Sequence, residues 1–328
     1  VTTLWDTTGT DVVKALSESR RAAGFVASGV ALTLVVVANE KHVPAAEEAA
    51  SVAASAHPCR LLIVVRRQIE APMPRLDAEI SVGGRLGPGE AVVMRMYGRL
   101  ALHAESVTLP LLAPDVPVVT WWHGEPPEKI AYDPLGVFAD RRVTDARESA
   151  DPIGTLTARA EDYAPGDTDL GWSRTTPWRT LLAGAFDTVT GRPTAVTVTA
   201  APRNVTATLL VGWMRSRLGL DVVLDESAKR GIAEVNIDID DGTRIQVTRQ
   251  DSNHAILRRT GVPDRVQPMA RRSLGEQLAE EIKRLDPDQP YGEALGAATG
   301  LTGLNHRSPF RSHVWKDPMP TATPAPTA

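Results

Sequence analysis

Val30-Ala31-Leu32-Thr33-Leu34-Val35-Val36-Val37-Ala38, then Pro44 to Ala56, then Leu61-Leu62-Ile63-Val64-Val65: these three stretches decide the fold class. The outer two are β-branched and continuous rather than alternating, the pattern of strands buried on both faces. The middle one is rich in alanine and carries the helical period. Strand, helix, strand in that order predicts a βαβ unit with a right-handed crossover, and hence a parallel sheet.

Elements accumulate on both sides of this unit. Thr7, Thr8, Thr10 and Asp11 precede Val12, Val13 and Leu16, so capping side chains stand before a helix from about Thr10 to Ala23. Leu76 to Val82 and Ala91 to Tyr97 read as strands flanking Gly83-Gly84-Arg85-Leu86-Gly87-Pro88-Gly89. A helix from Arg99 to Leu112 and a buried strand from Val116 to Trp122 are expected next. The first domain is then α/β, a mixed and mostly parallel sheet with flanking helices.

Near Pro165-Gly166 the composition turns to Asp, Gly and Pro, which puts a domain boundary at 163/164. The second domain, 164–304, is expected to be α+β. It opens with a helix from Thr176 or Pro177 to about Thr188, followed by a strand from Pro193 to Thr199, a helix from Asn204 to Leu218 and three or four more strands in an antiparallel meander. One hairpin can be read in register. Val235, Ile237 and Ile239 alternate with polar residues, as do Ile245 and Val247, across Asp240-Asp241-Gly242. A three-residue loop with left-handed Gly242 pairs Ile237 with Ile245 and Val235 with Val247, and sets Asp238 opposite Arg244. Leu274 to Leu285 is an amphipathic helix. Residues 305–328, rich in Pro, Thr and Ala, are expected to be a disordered tail.

Composition excludes several functions. The formal charge is −4, with 16 basic and 19 acidic residues up to residue 160 and 20 and 21 beyond it, so neither half carries the positive field of a nucleic-acid or membrane-surface binder. The longest apolar run, Gly29 to Ala38, is too short to span a bilayer. Val1 to Asp11 lacks the features of a secretory signal, so the expected address is cytoplasmic. The single cysteine, Cys59, cannot close a disulfide within the chain and is read as a buried structural thiol.

No catalytic motif emerges. The glycines at 83 to 89 join two strands, whereas a phosphate loop joins a strand to a helix and carries a Gly-Lys-Ser/Thr. Seven scattered histidines with one cysteine predict neither a metal site nor a bound cofactor. His103, Glu105 and Ser106 hold the ingredients of a triad but are too close in sequence to converge. There is no Gly-x-Ser-x-Gly elbow and no dinucleotide fingerprint.

Three constellations remain as candidate binding residues. Trp121 and Trp122, at the C-terminal end of a buried strand, fit either core packing or an exposed anchor, with their rings facing opposite ways. Trp172, Arg174, Trp178 and Arg179 at the domain junction fit either packing between domains or a partner contact, since Trp and Arg dominate interface hot spots. Arg258, Arg259, Arg265, Arg271 and Arg272 crowd fifteen residues against a lone Asp264 and fit a solvated face, an acidic partner surface or a phosphorylated ligand.

Several segments in order resemble the OpcA family, proteins that accompany glucose-6-phosphate dehydrogenase. They are Leu4-Trp5-Asp6-Thr7-Thr8-Gly9, His57-Pro58-Cys59-Arg60, His103-Ala104-Glu105-Ser106-Val107 with Leu109-Pro110-Leu111-Leu112 and Trp121-Trp122, Asp133-Pro134-Leu135-Gly136 with Asp140-Arg141-Arg142, and Trp172 to Arg179 leading into Phe186-Asp187. The resemblance implies a non-catalytic assembly and allosteric effector protein whose partner is the dehydrogenase of the oxidative pentose phosphate pathway. The alternative from the residues alone is an α/β enzyme or binding protein for a sugar phosphate or nucleotide. Redox control, associated with cyanobacterial relatives, has only Cys59 to work with here.

Overall fold

A computed structural model of the protein describes residues 1–24, 30–83, 89–187 and 189–316. The interior of the glycine loop, 84–88, and the end of the chain, 317–328, lie outside the described residues.

The three deciding stretches form β2 (Leu32–Ala38), α2 (Val43–Ala56) and β3 (Cys59–Arg66), after β1 (Thr2–Leu4) and α1 (Gly9–Ala22), whose N-cap Thr8 accepts from Asp11 N. With β4 (Arg75–Val82), β5 (Glu90–Tyr97), β6 (Val118–His123), β7 (Arg141–Thr144) and β8 (Asp167–Asp169) they build one sheet in the order β1-β4-β5-β3-β2-β6-β7-β8. The β1/β4 and β4/β5 pairs are antiparallel and the others parallel. Both faces are covered, as continuous runs require. Leu34, Val36, Leu61 and Ile63 pack toward α2, whereas Val35, Leu62 and Val64 pack toward α1. Val82 opposes Glu90, so the glycine loop joins two strands of a hairpin.

Arg99 to Leu112 is not one helix. It is a 3-10 segment at Gly98–Leu102, the single turn α3 (Glu105–Thr108) and a second 3-10 turn at Leu109–Leu111. The break falls at His103, whose backbone (φ −115°, ψ 42°) leaves the helical region, and Pro110 opens the last turn, where its missing N–H costs nothing. The apolar spacing nevertheless does its work, because Ala101, Ala104, Val107 and Leu111 all enter the core beside α1. After β6 come the single turn α4 (Pro134–Val137) and α5 (Pro152–Glu161).

α6 (Leu170–Phe186) begins six residues before the expected start at Thr176, because Asp169 caps it by accepting from Gly171 N. Pro177 therefore lies inside the helix, and Trp172 and Trp178 share it. Then follow β9 (Pro193–Ala200), α7 (Val205–Leu218), β10 (Val223–Glu226), β11 (Ile232–Ile239), β12 (Arg244–Arg249), β13 (His254–Arg259) and β14 (Val262–Pro268). The second sheet runs β10-β9-β11-β12-β13-β14, antiparallel except β10/β9, with five strands after β9 rather than three or four. Ile237 opposes Ile245, Val235 opposes Val247, and Asp238 opposes Arg244. Gly242 has φ +82° and Arg244 Nε donates to Asp238 at 2.6 Å, the register read from the sequence.

Two elements beyond the expected boundary at 163/164 pack with the first sheet. β8 lies past that point yet pairs with β7 in the first sheet. α8 (Leu274–Ile282), held by a Ser273/Glu276 capping box, returns to the first domain and sets Leu278 and Ile282 against Ala46, Ala49, Ala50 and Ala53 of α2. A Cβ on Gly275 would lie 2.8 Å from the Ala49 carbonyl oxygen, so only glycine permits this approach. Buried Glu281 then accepts from Arg141 at 2.6 Å and from Thr168 at 2.8 Å, fixing α8 to β7 and β8. α9 (Gln289–Thr299) packs on α7.

The segment from 305 to 316 does not leave the fold as its composition suggested. Arg307 donates to the carbonyls of Ala160 and Glu161 at 2.9 Å. Arg311, 7% exposed, bridges Asp162 and Asp167, and Val314 N donates to Ala131 O at 2.9 Å.

A candidate binding cleft at the domain junction

The four candidate tryptophans are enclosed by the chain itself, at 0 to 3% exposure. Trp121 faces the α2 side of the sheet and stacks on His123, which stacks in turn on His42, with centroids 4.9 and 5.3 Å apart. This column stands where β2 and β6 end, the point at which strand order reverses and open sheets place their sites. Burial, together with neighbouring His42, pushes the His123 imidazole down. Trp122 faces the other way and its Nε1 donates to buried Asp133. Trp172 packs against Tyr291 in a small core between the domains, donates to Asp288 at 2.8 Å, and carries the Arg179 guanidinium 3.6 Å above its ring. Arg179 is half-buried and bonds Thr175 and Thr176 at 2.8 and 2.9 Å, and burial pushes its pKa down to about 10, so it stays charged at neutral pH.

Arg174 lies where the C-terminal edge of the first sheet meets the second domain. Its guanidinium grips Asp145 at the end of β7 through both carboxylate oxygens, one bond being 2.8 Å. Beside it opens a cleft of about 470 Å³. Arg147, Arg174 and Trp178 form one wall, the Ala201–Thr206 stretch leading into α7 forms a second, and Arg230, Arg249, Arg271, Arg272 and Gln277 complete it. Arg174 and Trp178 of the 172–179 candidates and Arg271 and Arg272 at the end of the 258–272 cluster, read separately from sequence, thus converge on one cavity, which Trp172 and Arg179 do not line. The rest of that cluster sits elsewhere. Arg258 pairs with Asp264 at 2.9 Å, Arg259 lies at the end of β13, and Arg265 is on the outermost strand β14.

Among the described residues, seven arginines line the cleft and no carboxylate does. Four of them are neutralised from behind: Arg174 by Asp145, Arg147 by Glu148, Arg203 by Asp151, and Arg272 by Glu280. Arg230, Arg249 and Arg271 bond to no carboxylate among the described residues. Arg249 donates to the Met269 carbonyl at 2.9 Å and lies 5.4 Å from the Trp178 ring centroid. Burial, then the charge of Arg271, depress its pKa. Arg271 donates to the Arg230 carbonyl at 3.3 Å. The first N–H groups of a helix lack intrahelical acceptors, and Asn204 caps α7 by taking only that of Ala207. Gln277, 6% exposed, uses its amide N–H on Arg272 O at 2.8 Å and leaves its buried Oε1 without a donor. Arg203 holds φ +55°, an unusual conformation for a non-glycine residue. Arg147, Arg203, Arg230, Arg249 and Gln277 were not candidates from sequence, because they come from segments far apart in the chain.

Neither the triad ingredients nor the cysteine has reactive geometry. Ser106 Oγ donates to the His103 carbonyl at 2.7 Å, while the His103 ring stacks on Trp315. Cys59 is 2% exposed and burial pushes its thiol up to about 12. Among the described residues no group of three or more His, Cys, Asp or Glu side chains is placed to hold a metal, and no helix is long and apolar enough to cross a membrane.

Residues 50–161 match the N-terminal domain, and residues 165–295 the C-terminal domain, of the OpcA family described as glucose-6-phosphate dehydrogenase subunit. The chain belongs to the OpcA family. Its two family domains meet between residues 161 and 165, so in this OpcA chain the cleft joins Arg147 of the first to Arg174, Arg203, Arg230, Arg249, Arg271 and Arg272 of the second. A search of curated proteins yields no match. Among solved structures, an oxidoreductase from Sinorhizobium meliloti is similar at 11% identity over 82% of this chain and 86% of that one, with a TM-score of 0.34. An NAD binding oxidoreductase from Klebsiella pneumoniae is similar at 11% identity over 83% and 90%, with a TM-score of 0.33. Scores this low carry no argument about chemistry.

Proposed function

We propose that this chain is a non-catalytic assembly and effector protein that binds glucose-6-phosphate dehydrogenase and tunes its activity in the oxidative pentose phosphate pathway. The observation that carries the reading is the tandem match to both OpcA domains over most of the chain. The cleft supports it, because arginines and amides without a carboxylate, histidine or cysteine supply binding groups and no acid–base pair. The contact with the dehydrogenase is assigned to arginines rather than to the enclosed tryptophan rings. Arg258 and Arg265 stand on β13 and the edge strand β14, where exposed Val262 and Val266 add apolar area. Arg174 acts through the joint between the two family domains, which it ties by gripping Asp145.

The test is an assay of the dehydrogenase alone, with this protein, and of this protein alone. Activity is expected to change on addition, and the chain alone is expected to form no NADPH from glucose 6-phosphate. Unchanged kinetics together with no complex in sedimentation would sink the reading.

A further inference from the structure

The cleft at the domain junction carries an excess of positive charge that the chain does not neutralise. Like-charged guanidinium groups repel, and burying part of Arg249 beside Arg271 raises that cost, which a bound anion relieves. A solvated face would spread its arginines outward. Here they come from α6, the β9–α7 loop, the ends of β11, β12 and β14, and the turn after β7, all facing one concavity.

The volume selects the kind of anion. About 470 Å³ is the size of a small-molecule site. Guanidinium forks match phosphate oxygens, and the first-turn N–H groups of α7, a helix of 14 residues, point positive dipole ends at the same space. A fully ionised phosphoryl group offers Gln277 Oε1 no donor. That buried acceptor calls for a donor on the ligand, which a sugar hydroxyl supplies.

We infer that the cleft lined by Arg174, Arg230, Arg249, Arg271 and Gln277 binds a small phosphorylated molecule bearing hydroxyl groups, a sugar phosphate or a nucleotide. All five residues lie in the C-terminal family domain, and Arg174 among them also grips Asp145 of the N-terminal one, so the ligand sits at the joint between the two. This inference stands on the cleft alone and is independent of the dehydrogenase reading.

The test is calorimetric titration of the full chain with glucose 6-phosphate, AMP, inorganic phosphate and glucose. At least one phosphorylated probe is expected to bind in the micromolar to low millimolar range, and glucose is not. Glucose 6-phosphate and AMP distinguish the two sources of the phosphoryl group, and either one binding more tightly than inorganic phosphate supports the role of Gln277. Arg230→Ala with Arg271→Ala removes two exposed side chains that bond no carboxylate, so folding is not at risk, and is expected to weaken binding at least about tenfold. Arg265→Ala, the loss of one charge away from the cleft, is expected to leave affinity unchanged. The inference is overturned if no phosphorylated probe binds up to about 10 mM, if inorganic phosphate binds as tightly as both organic probes, or if Arg265→Ala weakens binding as much as the cleft variant.

Discussion

Removing everything after Asn305 tests whether the returning segment is part of the fold. Arg311 is 7% exposed and joined to Asp162 and Asp167. Breaking a buried ion pair costs about 3 to 5 kcal/mol when the remaining charge is stranded. Here neither carboxylate is stranded, since Asp167 keeps Arg142 and Asp162 keeps the Ile130 N–H at 2.7 Å. The loss is accordingly about 2 kcal/mol, the worth of charge-assisted bonds alone. Arg307 closes the carbonyl end of α5, and its removal lets water take those carbonyls at a cost of about 1 kcal/mol. Trp315 on His103 and Lys316 on Glu128 are exposed contacts and add little. The expected destabilisation is about 3 kcal/mol, or roughly 4 °C in Tm for a chain of this size. Thermal melts of the full chain, a form ending at Lys316 and a form ending at Asn305 read it directly. The first two are expected to melt together and the third lower, with Arg311→Ala alone giving about two thirds of the shift. If the form ending at Asn305 melted within about 1 °C of the full chain, the anchoring role of Arg311 would be wrong.

Gly212 of α7 faces α9 so closely that a Cβ there would stand 2.8 Å from Ala298 Cβ and 2.9 Å from Ala298 N. Gly212→Ala is expected to push α9 away and cost about 1 to 3 kcal/mol, measured by urea unfolding, and an unchanged midpoint would contradict the packing. Burial pushes the Asp133 carboxyl up, but Arg66, the Trp122 indole and the Leu135 N–H outweigh it and hold its pKa below the ordinary value of 3.8. Its contribution is full above that value and is lost as pH falls through the depressed one. Asp133→Asn is therefore expected to be less stable than wild type at pH 7, with the gap closing in melts below about pH 4, and a gap that stays constant with pH would remove the charge from the account.

The parallel sheet was legible because β2 and β3 are apolar without interruption, and the β11–β12 register because its alternation is strict and Gly242 sets the loop. β7 was not, because Arg141 and Arg142 lie within it and a hydropathy pattern reads them as surface. Both are buried, satisfied by Glu281 from far along the chain and by Asp167 with the Ala139 and Pro165 carbonyls. The start of α6 was hidden by Pro177, whose usual place in a first turn outweighed the Asp169 cap upstream. The cleft was half visible, since Arg174, Trp178, Arg271 and Arg272 were already candidates. What joined them needed the fold, because Arg230 and Arg249 look like ordinary isolated surface arginines until β11 and β12 bring them to the same rim.

The return of α8 has a consequence for how the chain is made. When β8 emerges during synthesis, every strand of the first sheet exists, but the alanine face of α2 still lacks Leu278 and Ile282. At about 5 to 20 residues per second, the interval before residues 274 to 282 follow lasts roughly 5 to 20 seconds. For that time the first half of the protein carries an open apolar stripe on α2, and it must wait for the second half to be translated before its own core can close.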